Sequence, residues 1–358
     1  MPTQPTVLFH PLNHIGLGHI NRLSVIALAL RQLDKRIRTP FVIEEASHIL
    51  LDALGLPYVP LPSSHAMGDT DAWATWTAAE RSRLQIDISR SILCTLDPDV
   101  VVFDCLPSPA FCDAVVDSEL PIVLCMREMR DLSGYLGHTK GLLERASLLV
   151  IPHQEGTFRL PEELAAKSCF VGQIARQLTH PTQHVRDPDR PHILISGGGG
   201  GYPRTSAFYN LAMNAVAELR SRYPGLKGEL IAGPLFREWL RLQPVDGIPV
   251  IPFEPDIATR FIESDLVICQ AGYNTVAELE QLGTRTIFVP AIRQWDDQFA
   301  RADRVSRERK NFRMFCGTAP TQLAKLAAEF LIDEIPSVTA AQPGGGMKAA
   351  RLIYEMLK

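Results

Sequence analysis

Two glycine-bearing stretches hold the residue types from which chemistry could be built. The first, "HPLNHIGLGHINR" over residues 10–22, places His19 directly after Gly16-Leu17-Gly18. The apolar run Val7-Leu8-Phe9 precedes it, and Leu23, Ile26, Leu30 and Leu33 follow at helical spacing, which predicts strand, glycine turn, helix. Such a turn aims unpaired backbone N–H groups and the positive end of a helix dipole at whatever lies beyond the strand. That field disfavours imidazolium, so His19 is expected to stay neutral and able to accept a proton. His14, in the same turn, is a competing histidine.

The second stretch, "HILISGGGGGYPRTSAFYNLAMNAVAEL", repeats the order strand, loop, helix around five consecutive glycines, Gly197 to Gly201, with Gly197, Gly198 and Gly199 leading. Without Cβ atoms the backbone approaches an oxyanion closely and points N–H groups at it. The loop lacks the Gly-Lys-Ser/Thr ending of an ATPase loop, and Tyr202 or Pro203 stands where a G-x-G-x-x-G fingerprint needs its third glycine. Arg204, just past the glycines, is a candidate cation for a diphosphate. A flexible turn is the plain alternative.

These turns need elements to position them, and the chain supplies apolar runs of strand length: "TVLF", "TPFVIEE", "DVVVFD", "PIVLCMR", "SLLVIP", then "HILISG", "GELIAG", "IPVIPF", "SDLVICQ" and "TIFVP". Continuous Val/Ile/Leu runs alternating with helical patterns predict parallel sheets covered on both faces. The expected class is α/β, with two Rossmann-like doubly wound domains facing a cleft. At 358 residues the chain exceeds one ordinary core. The polar, proline-bearing segment near 172–191 breaks the rhythm, so residues 1–172 form the first domain, 173–190 the linker and 191–340 the second domain. Residues 341–358 are expected to form a loop and a terminal helix that packs back on the first domain. In open parallel sheets ligands bind at the carboxyl ends of strands, where the strand order reverses.

Composition narrows the function classes. A hydrophobic fraction of 46% and a net charge of −4 describe a globular chain with no reason to hold nucleic acid. The basic tract "RADRVSRERKNFR", residues 301–313, reads as a solvated helix face. Seven cysteines without a C-x-x-C pair, together with no leader-like N-terminus, point to a reducing cytoplasm. No apolar run has the roughly 18 residues of a spanning helix, which leaves peripheral membrane contact open.

The passage "IPFEPDIATRFIESDLVICQAGYNTVAELEQLGTRTIFVPAIRQWDDQ" carries a resemblance. Its Gly-aromatic-Asn-Ser/Thr turn, the Glu three residues on, the G-x-P/R-x-x-x-x-P run and the final Asp-Gln resemble the donor domain of GT-B fold glycosyltransferases. Both the peptidoglycan UDP-N-acetylglucosaminyltransferase group, of the glycosyltransferase family 28 type, and UDP-sugar-dependent natural-product glycosyltransferases are similar, and "GLGH" matches the turn that opens such enzymes. The resemblance implies that Gly272, Asn274 and Thr275 hold a diphosphate at a helix N-terminus and that Glu278 accepts hydrogen bonds from ribose hydroxyls. It further implies that Phe253 to Ile257 line the base pocket and that Asp297 and Gln298 bind sugar hydroxyls. Two departures stand out. Gln270 replaces the His or Arg that many relatives set against the phosphate, and Arg285 takes the place of the common proline in "LGTRTIF".

In such relatives the histidine ending the first glycine turn, here His19, is the general base, and Gly16 and Gly18 belong to the site. Asp104, at the carboxyl end of "DVVVFDC", is the candidate orienting acid by strand position. Arg127 and Arg130, after "PIVLCM", and Trp73 are candidates for the acceptor side. The reading is a metal-independent inverting transfer from a UDP-sugar, as substrate and not cofactor, to a hydroxyl of a small molecule, glycan or lipid-linked acceptor. Retaining enzymes of the GT-B type often carry two glutamates eight residues apart; Thr286 and Phe288 stand eight residues beyond Glu278 and Glu280, so the resemblance favours inversion. The Asp-x-Asp of "GDTD", residues 68–71, is the one hint of a metal-dependent route. Competing readings are a nucleotide-sugar hydrolase or epimerase, a silent nucleotide-sugar binding protein, and an NAD(P)-dependent enzyme with Glu44 or Glu45 as the ribose acid.

Overall fold

The computed structural model describes residues 4–12, 16–44, 48–62, 75–176, 186–293, 296–333 and 344–358. The chain divides into two compact units, the first comprising residues 1–14, 19–175 and 343–358 and the second residues 15–18 and 176–342.

The first unit is built on a parallel sheet of seven strands: β1 (Val7–Pro11), β2 (Phe41–Glu44), β3 (Tyr58–Leu61), β4 (Val100–Asp104), β5 (Ile122–Cys125), β6 (Leu148–Ile151) and β7 (Ser168–Phe170). Their order is β3-β2-β1-β4-β5-β6-β7. Its helices are α1 (Gly18–Leu33), α2 (His48–Leu54), α3 (Ala78–Leu96), α4 (Pro109–Val116), α5 (Leu132–His138), α6 (Lys140–Arg145) and α7 (Glu162–Ala165). Strand order reverses between β1 and β4, whose register sets Phe9 beside Val102 and Pro11 beside Asp104. The start of α1, which carries His19, and the end of β4 therefore lie at the point where strand order reverses, where this topology binds ligands.

The second unit repeats the plan with β8 (His192–Ser196), β9 (Lys227–Ile231), β10 (Val250–Ile251), β11 (Leu266–Cys269), β12 (Thr286–Phe288) and β13 (Phe312–Met314), in the order β10-β9-β8-β11-β12-β13. Its helices are α8 (Thr205–Leu219), α9 (Ile257–Ile262), α10 (Tyr273–Leu282), α11 (Gln298–Glu308) and α12 (Pro320–Ile332). Alternation along the strands fills two cores. Ile193, Ile195, Leu266 and Ile268 pack with α8 and α12 on one face, and Leu194, Val267 and Cys269 pack with α9, α10 and α11 on the other. Burial on both faces is why these strands read as unbroken apolar runs.

All ten apolar runs are strands. The three further strands, β3, β7 and β13, all lie at sheet edges and are half-buried, so no long apolar run marks them. The terminal helix α13 (Gly345–Glu355) belongs to the first unit, with Ala349, Ala350 and Ile353 fully buried. A Cβ on Gly346 would fall 2.6 Å from Val25 Cγ1 of α1, so glycine allows the two helices to touch. Along α11 the arginines are engaged, Arg304 with Glu308 and Arg307 with Asp303, each one helical turn apart. Among the described residues no helix is long and apolar enough to cross a membrane. All seven cysteines are free thiols.

Candidate functional site

In the first unit, His19 lies in the first turn of α1 and its Nδ1 is 3.3 Å from Asp104 Oδ2 at the end of β4. The imidazole is 32% exposed, whereas Asp104 is fully buried. Arg22, one helical turn beyond His19, donates from Nη1 to both Asp104 oxygens at 2.6 Å. Burial alone would raise the Asp104 carboxyl, but Arg22 and His19 together hold it below the usual carboxylate range.

The neutral His19 expected from the helix dipole is corrected by this geometry. Burial pulls the imidazole down, yet the charge and hydrogen bonding of Asp104, with a smaller contribution from Cys105, raise its pKa to about 9. A full carboxylate charge at contact distance outweighs the partial charge at a helix end. Arg22, inside "GHINR", is a site residue that the sequence motifs do not single out. Only its spacing of three from His19, which puts both on one face, hints at the pairing.

Cys105 is a second addition. It adopts φ +58°, an uncommon conformation for a residue with a side chain. Its N–H donates to the Cys125 carbonyl at 2.8 Å and its own carbonyl accepts from the Tyr135 hydroxyl at 2.9 Å. The held backbone sets its Sγ 3.2 Å from Asp104 Oδ1. Among the described residues, His19, Asp104 and Cys105 form a group of metal-capable donors, all within 4.8 Å of one another. A cation there would share both carboxylate oxygens with the Arg22 guanidinium and meet its positive charge.

His10, at the end of β1, has a different task. Its Nδ1 is 2.8 Å from the Val42 carbonyl and its Nε2 accepts from the Ser108 N–H at 3.1 Å. One nitrogen must donate and the other accept, so the ring is neutral, and burial lowers its pKa to about 4. Arg127 and Arg130 follow β5, one strand from Asp104, with Arg127 donating to the Glu128 carbonyl at 3.0 Å. Glu44 ends β2 fully buried, a poor position from which to meet a ribose. His14, Glu45, residues 68–71 and Trp73 lie outside the described residues.

In the second unit the glycine loop follows β8, and α10 begins after β11, on either side of the point where strand order reverses. Gly198 and Gly200 have φ of +68° and +80°, and a Cβ on Gly200 would collide with the Ala232 carbonyl, so the run is a packed loop and not a slack turn. Cβ positions built on Gly198 and Gly272 fall 3.9 and 3.8 Å from Thr275 Oγ1, which brings these three residues together. Gly272 is the N-cap of α10, has no side-chain cap bond, and leads into buried Asn274. The first-turn N–H groups of this ten-residue helix form an anion-favouring end.

Glu278, further along α10, is buried and accepts from Arg176 Nε at 3.1 Å. Arg176 also donates to the Pro255 carbonyl, within the 253–257 segment assigned to the base pocket. Asp256 caps α9 through Thr259, and Ile257 starts that helix. Asp297 caps α11 by accepting from Ala300 N at 3.0 Å, while the Gln298 side-chain oxygen accepts from Ala291 N at 3.0 Å. Arg204 is exposed, with φ +64° and its backbone N–H on Glu238 at 3.1 Å. The cation beside the glycine loop is another one. Buried Arg293, after β12, donates to Gln270 Oε1 at 2.7 Å and stacks 3.4 Å over the Tyr202 ring. Arg285, the other departure, donates to the carbonyls of Leu331 at 2.8 Å and Asp333 at 2.9 Å, fastening the end of α12.

Comparison with known proteins finds relatives of one enzyme class and one fold. Residues 237–331 match the glycosyltransferase family 28 C-terminal domain. A UDP-N-acetylglucosamine–N-acetylmuramyl-(pentapeptide) pyrophosphoryl-undecaprenol N-acetylglucosamine transferase of Halorhodospira halophila is 30% identical over 142 residues, covering 38% of this chain and 39% of that protein. The enzyme of the same description from Chromobacterium violaceum is 28% identical over 201 residues, 54% of each chain. The match thus spans about half or less of these relatives' own lengths. Among solved structures, the kitacinnamycin glycotransferase superposes with a TM-score of 0.65 at 15% identity over 100% of both chains. MurG of Acinetobacter baumannii gives 0.60 at 17% identity over 98% of this chain and 99% of that one. A protein described as a UDP-N-acetylglucosamine 2-epimerase from Listeria monocytogenes gives 0.62 at 16% identity over 98% and 95%. Residues 237–331 are thus similar to a glycosyltransferase family 28 C-terminal domain, in a chain of two parallel α/β sheets that shares the fold of these solved GT-B glycosyltransferases.

Proposed function

We propose that this chain is a metal-independent inverting glycosyltransferase that moves a sugar from a UDP-sugar, such as UDP-N-acetylglucosamine, to an acceptor hydroxyl. The observation that carries the reading is the meeting of Gly198, Gly272 and Thr275 where the strand order of the second sheet reverses, beside the anion-favouring end of α10. The curated relatives act on UDP-N-acetylglucosamine and a lipid-linked acceptor, which supports the donor class.

In this mechanism Nδ1 of His19 faces Asp104, so Nε2 of the neutral imidazole, the form whose share grows as pH rises toward about 9, takes the proton from the acceptor hydroxyl. The acceptor oxygen then bonds to the anomeric carbon as the bond from that carbon to the diphosphate oxygen breaks, and the electron pair leaves with UDP. Asp104 stabilises the imidazolium that forms, and Arg22 keeps Asp104 ionised. The α10 N–H groups and Thr275 meet the charge that gathers on the diphosphate. Glu278 receives the ribose hydroxyls, and Arg176 joins it to the base segment.

Calorimetric titration of the full chain with UDP, dTDP, GDP and NAD tests the donor site, beside a Glu278→Gln variant. Micromolar UDP binding that weakens about tenfold in the variant is expected, on the scale of one lost hydrogen bond to a charged group. NAD binding without UDP binding would overturn the reading. Free sugar released from UDP-N-acetylglucosamine without any acceptor, as fast as transfer, would make the chain a hydrolase instead.

A further inference from the structure

The sequence leaves the diphosphate clamp incomplete, because Gln270 is neutral where a cation is common and Arg204 is the apparent substitute. The fold resolves this differently. Three strand ends converge on one guanidinium: Tyr202 from the loop after β8, Gln270 from the end of β11, and Arg293 from the segment after β12. From these contacts we infer that Arg293 is the side chain that compensates the charge of the nucleoside diphosphate leaving group. The inference rests on the donor site proposed above and supplies its missing cation.

Several features fit Arg293 for the task and disqualify Arg204. Arg293 is only 8% exposed, and its Nη2 is fixed by Gln270 at 2.7 Å while the planar group rests 3.4 Å over Tyr202. A guanidinium so held loses little conformational freedom when it binds an anion. Gln270 orients it through a carbonyl oxygen and, being neutral, does not cancel its charge; a carboxylate at 270 would. Asp296, an acid whose charge reaches Arg293, is itself gripped by Arg301 at 2.6 Å. Gln270 also lies two residues before Gly272, so the guanidinium is anchored to the segment that leads into α10, whose N-terminal end carries the same sign of field. Arg301 Nη1 binds the Ala271 carbonyl at 2.8 Å and steadies that turn. Arg204, by contrast, is an exposed side chain on a backbone held by Glu238. As the anomeric bond breaks, the departing diphosphate oxygen gains the electron pair, and the N–H donors of Arg293 bind that charge.

The test is calorimetric titration of the full chain with uridine, UMP and UDP, for wild type, Arg293→Gln, Arg293→Lys and Arg204→Gln. In Arg293→Gln, UDP affinity is expected to fall about 10- to 100-fold, the scale of charge-assisted hydrogen bonds, with uridine held within about twofold. Arg293→Lys should recover part of the loss, because a point charge restores attraction but not the planar fork. Arg204→Gln should bind UDP within about twofold of wild type. UDP binding by Arg293→Gln within about twofold of wild type overturns the inference and leaves the donor site standing. Equal loss of uridine and UDP in both Arg293 variants also overturns it, since the residue would then be structural. Wild-type protein that binds none of the three removes the donor reading and this inference together.

Discussion

The Nδ1 of His19 lies 3.3 Å from an Asp104 carboxylate that Arg22 grips through both oxygens. That carboxylate raises the His19 pKa to about 9, above the ordinary 6.5, against the pull of burial. A general base works when neutral, so kcat/KM should rise with pH through about 9. In Asp104→Asn the raising charge is gone and burial remains, so the rising limb should move toward acid while activity at its plateau drops. Proton NMR titration of the imidazole and pH–rate profiles read this directly. A wild-type apparent pKa near 6.5 would mean that Arg22 cancels the Asp104 charge as His19 feels it. Linkage has the same sign: the pair stabilises the fold fully below pH 6.5, and that contribution is lost as pH rises through about 9.

Replacing His19 by alanine should lower kcat by on the order of 10²- to 10⁴-fold with UDP affinity unchanged, the range for losing a general base. Turnover within about threefold of wild type would remove His19 from the mechanism.

His10 should make the fold acid-sensitive. Its pKa is about 4 in the folded chain and 6.5 as a free side chain, so the unfolded state binds the extra proton between those values. Stability is therefore full above pH 6.5 and falls as pH drops toward 4, by on the order of 3 kcal/mol. Urea unfolding at several pH values, compared with His10→Gln, checks this; parallel curves for the two proteins would count against it.

Two glycines with positive φ should respond differently to alanine. At Gly200 (φ +80°) the Cβ would meet the Ala232 carbonyl, whereas at Gly55 (φ +62°) it meets nothing within 4 Å. Gly55→Ala should cost about 1 kcal/mol, the backbone penalty alone, and Gly200→Ala about 2 kcal/mol or more. Denaturation midpoints measure both. UDP binding should weaken only in the Gly200 variant, and equal costs at the two sites would contradict the packed-loop description.

Arg176→Met should weaken uridine and UDP by a similar factor, about tenfold, because the ion pair it breaks orients Glu278 and the base segment, not the diphosphate. Equal titrations in wild type and variant would show that Glu278 holds its position unaided. The contrast with Arg293→Gln, expected to spare uridine, separates the two arginines.

Much of the fold was legible because fully buried parallel strands leave an unmistakable record. "DVVVFD" and "SDLVICQ" cannot alternate polar and apolar residues when helices cover both faces. The edge strands β3, β7 and β13 were not legible, because their half-buried positions leave no long apolar run, whereas the equally half-buried edge strand β10 kept one in "IPVIPF". The positions of His19 and Asp104 followed from strand ends, but their charge state did not. The helix end was visible in the sequence, and the carboxylate 85 positions away was only a candidate.

The sequence by itself determined the parallel α/β architecture, the two glycine turns and the residue types at the strand ends, because local periodicity and backbone freedom are properties of neighbouring residues. Tertiary structure alone decided which charges meet. Arg22 on Asp104, Arg176 on Glu278, and Arg293 between Gln270 and Tyr202 pair residues that register and crossover place side by side. Electrostatic energy depends on distance in space and on burial, and neither is written in sequence separation.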